Sequence, residues 1–293
     1  MDGVIVVDKP EGWTSHDVVN RVRHIARTKK VGHLGTLDPL ATGVLPLVIG
    51  RTTRLSQFYT RSPKIYEGVV RFGWSTSTYD RDGAATSDKV ETQLDPAELE
   101  RHLHAFRGEF LQTPPPVSAK KVEGRRAYEL ARNSVAVALA PVKVEVYELT
   151  LLGIEGAYVR LRAHCSGGTY VRSIAHDLGQ LVGCGAHLAE LRRLASGEFE
   201  IEEARTIPQL ESLAAAERLM DALVPAVQML PGFPTVFVDD LTASQIRQGR
   251  NFPASPFRSP AASRYVKAVT RQEDLVAVGE AVLPNLYHPV VVL

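Results

Sequence analysis

A single carboxylate, Asp38, stands in the stretch Gly32-His33-Leu34-Gly35-Thr36-Leu37-Asp38-Pro39-Leu40-Ala41-Thr42-Gly43. Glycines on both sides let the chain bend sharply, and Pro39 fixes its own φ and removes a backbone donor. The apolar run Val44 to Ile49 follows directly and anchors the loop against a core. Asp38 is therefore expected at a rigid rim, where one ionised acid could serve as nucleophile or base. As an isolated dipeptide, Asp38-Pro39 reads first as a turn initiator. A phosphate cradle would need a Gly-Lys-Ser/Thr ending, which is missing here. Nine histidines show no H-E-x-x-H spacing, and Cys165 and Cys184 form no C-x-x-C pair. Neither a metal site nor a disulfide framework is expected.

The elements that must hold this loop can be read from local pattern. Gly3 to Val7 is a short buried strand, and a helix capped by Thr14 or Ser15 buries Val18, Val19, Val22, Ile25 and Ala26. A strand at 44–49, a short helix near 52–59 and a strand over 64–73 follow. Asp95-Pro96-Ala97-Glu98 combines an N-cap, an N1 proline and an acid in the first turn, which predicts a helix ending near Arg107-Gly108. Residues 142–152 and 157–165 alternate with period two and read as paired strands. A helix over about 170–182 follows the Gly167-Gly168 bend. Pro225, Pro231, Gly232 and Pro234 then break the pattern ahead of a segment of strands and one helix. Strands and helices without regular βαβ alternation favour α+β. The expected division is 1–230 and 231–293.

With 293 residues, 44% of them hydrophobic, the chain is long enough for a large domain and a smaller companion. No apolar run approaches the roughly 18 residues of a membrane helix, and the N-terminus has no secretory pattern, so a cytoplasmic protein is expected. The net charge of +1 hides segregation. Residues 1–71 carry eleven Lys/Arg against six Asp/Glu, and residues 101–132 carry seven against three. Residues 198–221 carry two against seven. Such a distribution can present a basic face to a polyanion, although solvated helix faces produce it too.

The loop resembles the signature of bacterial tRNA pseudouridine-55 synthases, and the resemblance extends over about residues 3–197. Asp8-Lys9-Pro10 with Gly12-Trp13-Thr14-Ser15 is similar to the family's opening, and Lys64-Ile65-Tyr66 to its tyrosine-bearing strand. The stretch from Gln112 through Pro114-Pro115-Pro116 to Lys120-Lys121, then Gly124-Arg125-Arg126-Ala127-Tyr128-Glu129 and Gly168-Thr169-Tyr170-Val171-Arg172-Ser173, complete the match. Two positions depart: Leu34 stands where a threonine is usual, and Ser77 where an aspartate is usual.

The resemblance implies a mixed-sheet pseudouridine-synthase catalytic domain followed by a small β-rich PUA-like RNA-binding domain. It implies isomerisation of uridine 55 in the T-loop without any cofactor, Asp38 acting by attack on C1′ or by removal of a ribose proton. Burial alone would raise the pKa of that acid, so a nearby cation or hydrogen-bond donors must keep it ionised, and Arg172 is the candidate partner. Tyr66 would stack on the flipped base, His33 would fill the vacated space, and Leu191 would form a pocket wall. Lys9 is expected to brace the loop or to meet RNA. Lys120, Lys121, Arg125 and Arg126 are expected to clamp phosphates of the tRNA T-arm, as is the helix face of Arg21, Arg23 and Arg27 with Lys29 and Lys30. A monomer with no obligatory protein partner and no membrane contact is expected. The rival readings are a non-catalytic RNA-binding or RNA-folding protein on the same scaffold, and an N-glycoside hydrolase.

Overall fold

The structure, a computed structural model, describes residues 1–118, 121–122, 125–126, 139–254 and 263–293. In chain order it contains β1 (Gly3–Lys9), α1 (Ser15–Ile25), β2 (Val31–His33), β3 (Thr42–Ile49) and β4 (Lys64–Phe72), with 3₁₀ turns over Gly50–Tyr59 between the last two. Next come α2 (Pro96–His104), β5 (Gly108–Gln112), the short β6 (Lys121–Val122) and β7 (Arg125–Arg126), β8 (Val142–Glu155) and β9 (Tyr158–Cys165). They are followed by α3 (Val171–Val182), β10 (Ala186–Ser196), β11 (Phe199–Glu200), α4 (Ile207–Ala215) and β12 (Leu223–Pro225). The C-terminal part has β13 (Thr235–Phe237), α5 (Asp240–Arg247), β14 (Phe252–Pro253), β15 (Tyr265–Val269), β16 (Leu275–Leu283) and β17 (Leu286–Val292).

The large sheet runs β12-β1-β3-β10-β4-β9-β8-β5, with β2 beside β3 and β11 beside β10. Its neighbours are antiparallel except β3 and β10, which run parallel through Arg192 opposite Thr42 and Arg193 opposite Gly43. This mixed sheet, with helices on it and a separate five-stranded sheet β13-β15-β16-β17-β14, is the α+β class expected.

Alternation along β1 shows how the layers form. Ile5 and Val7 face a core shared with α1, α2, α3 and α4, through Val18, Val22, Leu103, Ile174, Leu178 and Leu210. Val4 and Val6 face a second core with Val44, Val48, Leu55 and Tyr59, which continues into Val269, Leu275, Val278 and Val291 of the C-terminal sheet. A strand buried on both faces reads as an unbroken apolar run, as Gly3 to Val7 does.

Local signals hold where they were strongest. Thr14 caps α1 in a reciprocal capping box with Asp17, and Asp95 caps α2. The helix begun by Asp95 ends at His104 rather than near Arg107. Val159, Leu161, Ala163 and Cys165 all point inward from β9. In β8 the inward set Val144 and Val146 changes phase at a register shift between Val146 and Glu148, so Leu149 is the next buried residue.

Candidate active site

Asp38 lies on the loop between β2 and β3, and four contacts keep that loop rigid. The fully buried Lys9 ammonium donates to the carbonyls of Pro10 (2.8 Å), Trp13 (2.7 Å) and Pro39 (3.3 Å), which uses all three of its donors. Burial pushes Lys9 down to about 8, against the pull of the Asp38 carboxylate. Ser15 Oγ donates to the Leu37 carbonyl at 3.0 Å and accepts from the Leu37 N–H at 2.8 Å. The Gly12 N–H reaches the Pro39 carbonyl at 2.9 Å.

The fourth contact is Arg193, fully buried in β10, whose guanidinium donates to the carbonyls of Val44 (2.7 Å), Thr36 (3.2 Å) and Gly35 (3.1 Å). Gly43 is where β3 meets β10, and there a Cβ would stand 2.2 Å from the Arg193 carbonyl oxygen. Only glycine fits that approach, and its φ of +98° suits glycine as well.

Asp38 meets Arg172, the second residue of α3. Nη2 donates to Oδ1 at 3.0 Å, and Nε lies 2.9 Å from Oδ2 as an ion contact rather than an aligned hydrogen bond. The Arg172 side chain is 5% exposed and that of Asp38 33%. Arg172 also donates to the carbonyls of Val117 (3.0 Å) and Thr78 (3.2 Å) and, at 3.3 Å, to the buried Asp80. The sequence reading paired the arginine with one acid; the structure gives it two. Asp80 is itself fixed by the Thr78 hydroxyl at 2.5 Å and the Asp82 N–H at 3.1 Å. The N-terminus of α3 is held by Gln112, which accepts from the Tyr170 N–H at 2.8 Å and donates to the Tyr170 carbonyl at 3.0 Å.

Beside Asp38 opens a cleft of about 480 Å³. Tyr66 and Leu191 form its apolar side, from adjacent strands β4 and β10, and Lys64 and Thr169 belong to its polar side. Burial raises the Tyr66 phenol above its ordinary range, with the Arg193 guanidinium opposing. Lys64 donates to the Ser62 carbonyl at 2.7 Å, and burial, then the charge of Arg193, pushes it down to about 8. A charged rim, an apolar wall and a partly dry interior can take a planar polar ring and act on the atoms beside it.

The structure brings Asp38, Tyr66, Arg172, His33 and Leu191 together around this one cleft. His33 accepts from the Gly35 N–H at 3.3 Å. Of the two roles expected for Lys9, its burial serves the brace. Lys120 lies outside the described residues, as do the side chains of Lys121, Arg125 and Arg126, whose backbones pair as β6 and β7. On α1, Arg21 is paired with Glu211 and Arg23 donates to the Val31 carbonyl, so two of the five candidate phosphate contacts of that face are already engaged. The two departures have places: Leu34 is packed in the second core, and Ser77 is exposed outside the Arg172 cluster. Asp80 and Arg193 were not singled out from sequence as site residues. An acid following the hydroxyl-rich Ser75-Thr76-Ser77-Thr78 was the available signal for Asp80.

Residues 23–171 match the family model described as TruB family pseudouridylate synthase, N-terminal domain. Residues 172–230 match that of the tRNA pseudouridylate synthase B C-terminal domain. The chain is 76% identical over 293 residues, the whole of both chains, to tRNA pseudouridine synthase B of Solibacter usitatus (strain Ellin6076). It is 44% identical over 252 residues to the protein of that name from Aquifex aeolicus (strain VF5), covering 85% of this chain and 86% of the other. Among solved structures, a chain of a Cbf5-Nop10-Gar1 complex superposes with a TM-score of 0.73 at 28% identity, over 97% of this chain and 79% of that one.

Proposed function

This chain belongs to the TruB family of pseudouridylate synthases, and we propose that it converts uridine 55 in the T-loop of tRNA into pseudouridine, with Asp38 as the catalytic group. The observation that carries the reading is the pairing of Asp38 with the buried Arg172 at the edge of a cleft walled by Tyr66 and Leu191.

The reaction breaks the bond from N1 of uracil to C1′ of ribose, turns the ring, and joins C5 to C1′. The proton on C5 leaves and N1 gains one, so nothing is added or removed overall. Asp38 either attacks C1′ to form a covalent intermediate or takes a ribose proton to form a glycal. In both cases it must be ionised and aimed, and the guanidinium contacts hold the carboxylate and limit its rotation. Tyr66 stacks on the extruded base, repaying part of the few kcal/mol that unstacking costs. Leu191 extends the same apolar wall beside Tyr66, and His33 fills the gap left in the RNA.

We read residues 231–293 as a PUA-like RNA-binding domain, and the T-arm as the part of tRNA gripped, with Lys120, Lys121, Arg125 and Arg126 on its phosphates. If they are, their quadruple alanine variant flattens the salt dependence of binding. The deciding experiment incubates the protein with unmodified tRNA in chelator and maps pseudouridine, beside Asp38→Asn. Product at nucleotide 55 with the native chain, and tRNA binding without turnover in Asp38→Asn, is the expected result. Binding with no product from the native chain would favour the non-catalytic reading; free uracil and an abasic site would identify a hydrolase.

A further inference from the structure

Two of the groups that receive Arg172 belong to neighbours of Tyr79: the Thr78 carbonyl and the Asp80 carboxylate. Tyr79 itself has a φ of +65°, the left-handed region, unfavourable for a bulky residue unless its surroundings hold it there. Its backbone is held by β10, since the Leu188 N–H donates to the Tyr79 carbonyl at 3.0 Å and the Arg81 N–H to the Leu188 carbonyl at 2.9 Å. Its side chain is held differently. The ring lies flat on that of His176, with centroids 3.7 Å apart and planes 7° from parallel.

His176 follows Arg172 by four residues on α3, so the two occupy one helix face a turn apart. The same face thus grips the same short segment twice, through charge at Arg172 and through a ring at His176. His176 Nδ1 is buried without a hydrogen bond among the described residues, so it is the flat face of this ring that is used, not that nitrogen. Neither Tyr79 nor His176 lines the cleft.

We propose that the Tyr79–His176 stack is a positioning device that keeps Thr78 and Asp80 on Arg172 and thereby sets the orientation of the guanidinium facing Asp38. The proposal rests on the reading of Asp38 as the catalytic group. Without the stack, Tyr79 loses the side-chain contact opposing its unfavourable backbone, the segment relaxes, and Arg172 turns with it.

The test uses the full chain and an unmodified tRNA transcript in steady state. His176→Ala lowers kcat about ten- to a hundredfold with KM within about twofold, the signature of misaimed groups rather than lost binding. His176→Phe restores a flat ring and returns kcat to within about threefold of the native chain, in line with a stacking role. Tyr79→Leu, which keeps apolar bulk without the flat face, lowers kcat as His176→Ala does, and the double variant loses no more than either alone. A native kcat in His176→Ala, an His176→Phe as slow as the alanine variant, or a rise in KM alone would overturn the proposal. If His176→Ala does not fold, Tyr79→Leu with His176→Phe decides in the same way. Asp38→Asn is measured in the same series: turnover retained there overturns the reading beneath the proposal, whereas turnover lost there with native kcat in His176→Ala overturns the proposal alone.

Discussion

Lys9, in the first strand of the sheet, reaches the carbonyl of Pro39, the residue after Asp38, at 3.3 Å. The same ammonium satisfies the carbonyls of Pro10 and Trp13. Lys9→Met would take the ammonium from the carbonyls of Pro10 and Trp13 and leave Pro39 only the Gly12 N–H, and is expected to cost about 2–4 kcal/mol of stability. Urea unfolding checks this through its midpoint. Lys9→Arg would not rescue, because a planar fork cannot converge on three carbonyls grouped around one nitrogen.

Arg172→Lys keeps the charge and loses the geometry. One ammonium cannot span Asp38, Asp80 and the carbonyls of Thr78 and Val117, so kcat is expected to fall about a hundredfold or more. Single-turnover rates with tRNA in excess isolate this from binding. Equal single-turnover rates in the native and lysine forms would show that charge alone suffices.

Tyr66→Ala removes the aromatic wall, and base stacking on such a ring contributes about 1–3 kcal/mol. A fall of about ten- to a hundredfold in kcat/KM is expected. Tyr66→Phe keeps the ring and should keep most of kcat/KM, so any further loss in kcat reports on the hydroxyl.

Two of the buried lysines, Lys9 and Lys64, give the fold an alkaline signature. Burial places both Lys9 and Lys64 at about 8, against an ordinary 10.5 for the unfolded chain. Between those values the unfolded chain holds more protons than the folded one, so stability contributed by these groups rises as pH goes from about 8 towards 10 and is lost as pH falls through 8. Higher up, the buried phenols of Tyr59 and Tyr66, pushed up by burial, act in the opposite sense. Urea midpoints at pH 7.5, 8.5 and 9.5 should climb for the native chain, and the climb should shrink in Lys64→Met.

The C-terminal sheet is joined to the large domain by Phe58, Phe233 and Tyr265, whose ring centroids are 5.3 to 5.4 Å apart, and by Lys267 donating to the carbonyls of Val227 and Met229. Phe58 is half-buried, so Phe58→Ala is expected to cost about 1–3 kcal/mol at this junction, less than a fully buried phenylalanine, and to separate one calorimetric transition into two. A single sharpened transition at the native temperature would contradict it.

What could be read before any coordinates was whatever short-range chemistry decides. Thr14 and Asp95 announce helix starts because a cap is a contact over two or three residues. β9 announces itself because its inward residues alternate without interruption. The loop around Asp38 and its encounter with Arg172 were legible through the family resemblance, not through pattern. β10 was not legible. Its sequence, Ala186-His187-Leu188-Ala189-Glu190-Leu191-Arg192-Arg193-Leu194-Ala195-Ser196, is rich in helix formers, and two register shifts against β4 interrupt its alternation. Only its place between β3 and β4 makes it a strand. Without that assignment Arg192 and Arg193 look alike, whereas in the sheet one turns out to Asp8 and the other inward to the loop that carries Asp38. Asp80 was hidden for a related reason, since nothing local says that a polar turn will land on β10.

The late position of β10 in the chain has a consequence for biogenesis. A nascent polypeptide emerging from the ribosome contains Asp38 early, yet the guanidinium that fastens its loop arrives some 150 residues afterwards, and the strand carrying it must insert between two already synthesised. Pairings of such large sequence separation make folding slow. Enzyme competence therefore comes after translation of the sheet's middle, and a chain cut at residue 185 should take up no ordered loop at 35–38 in amide exchange.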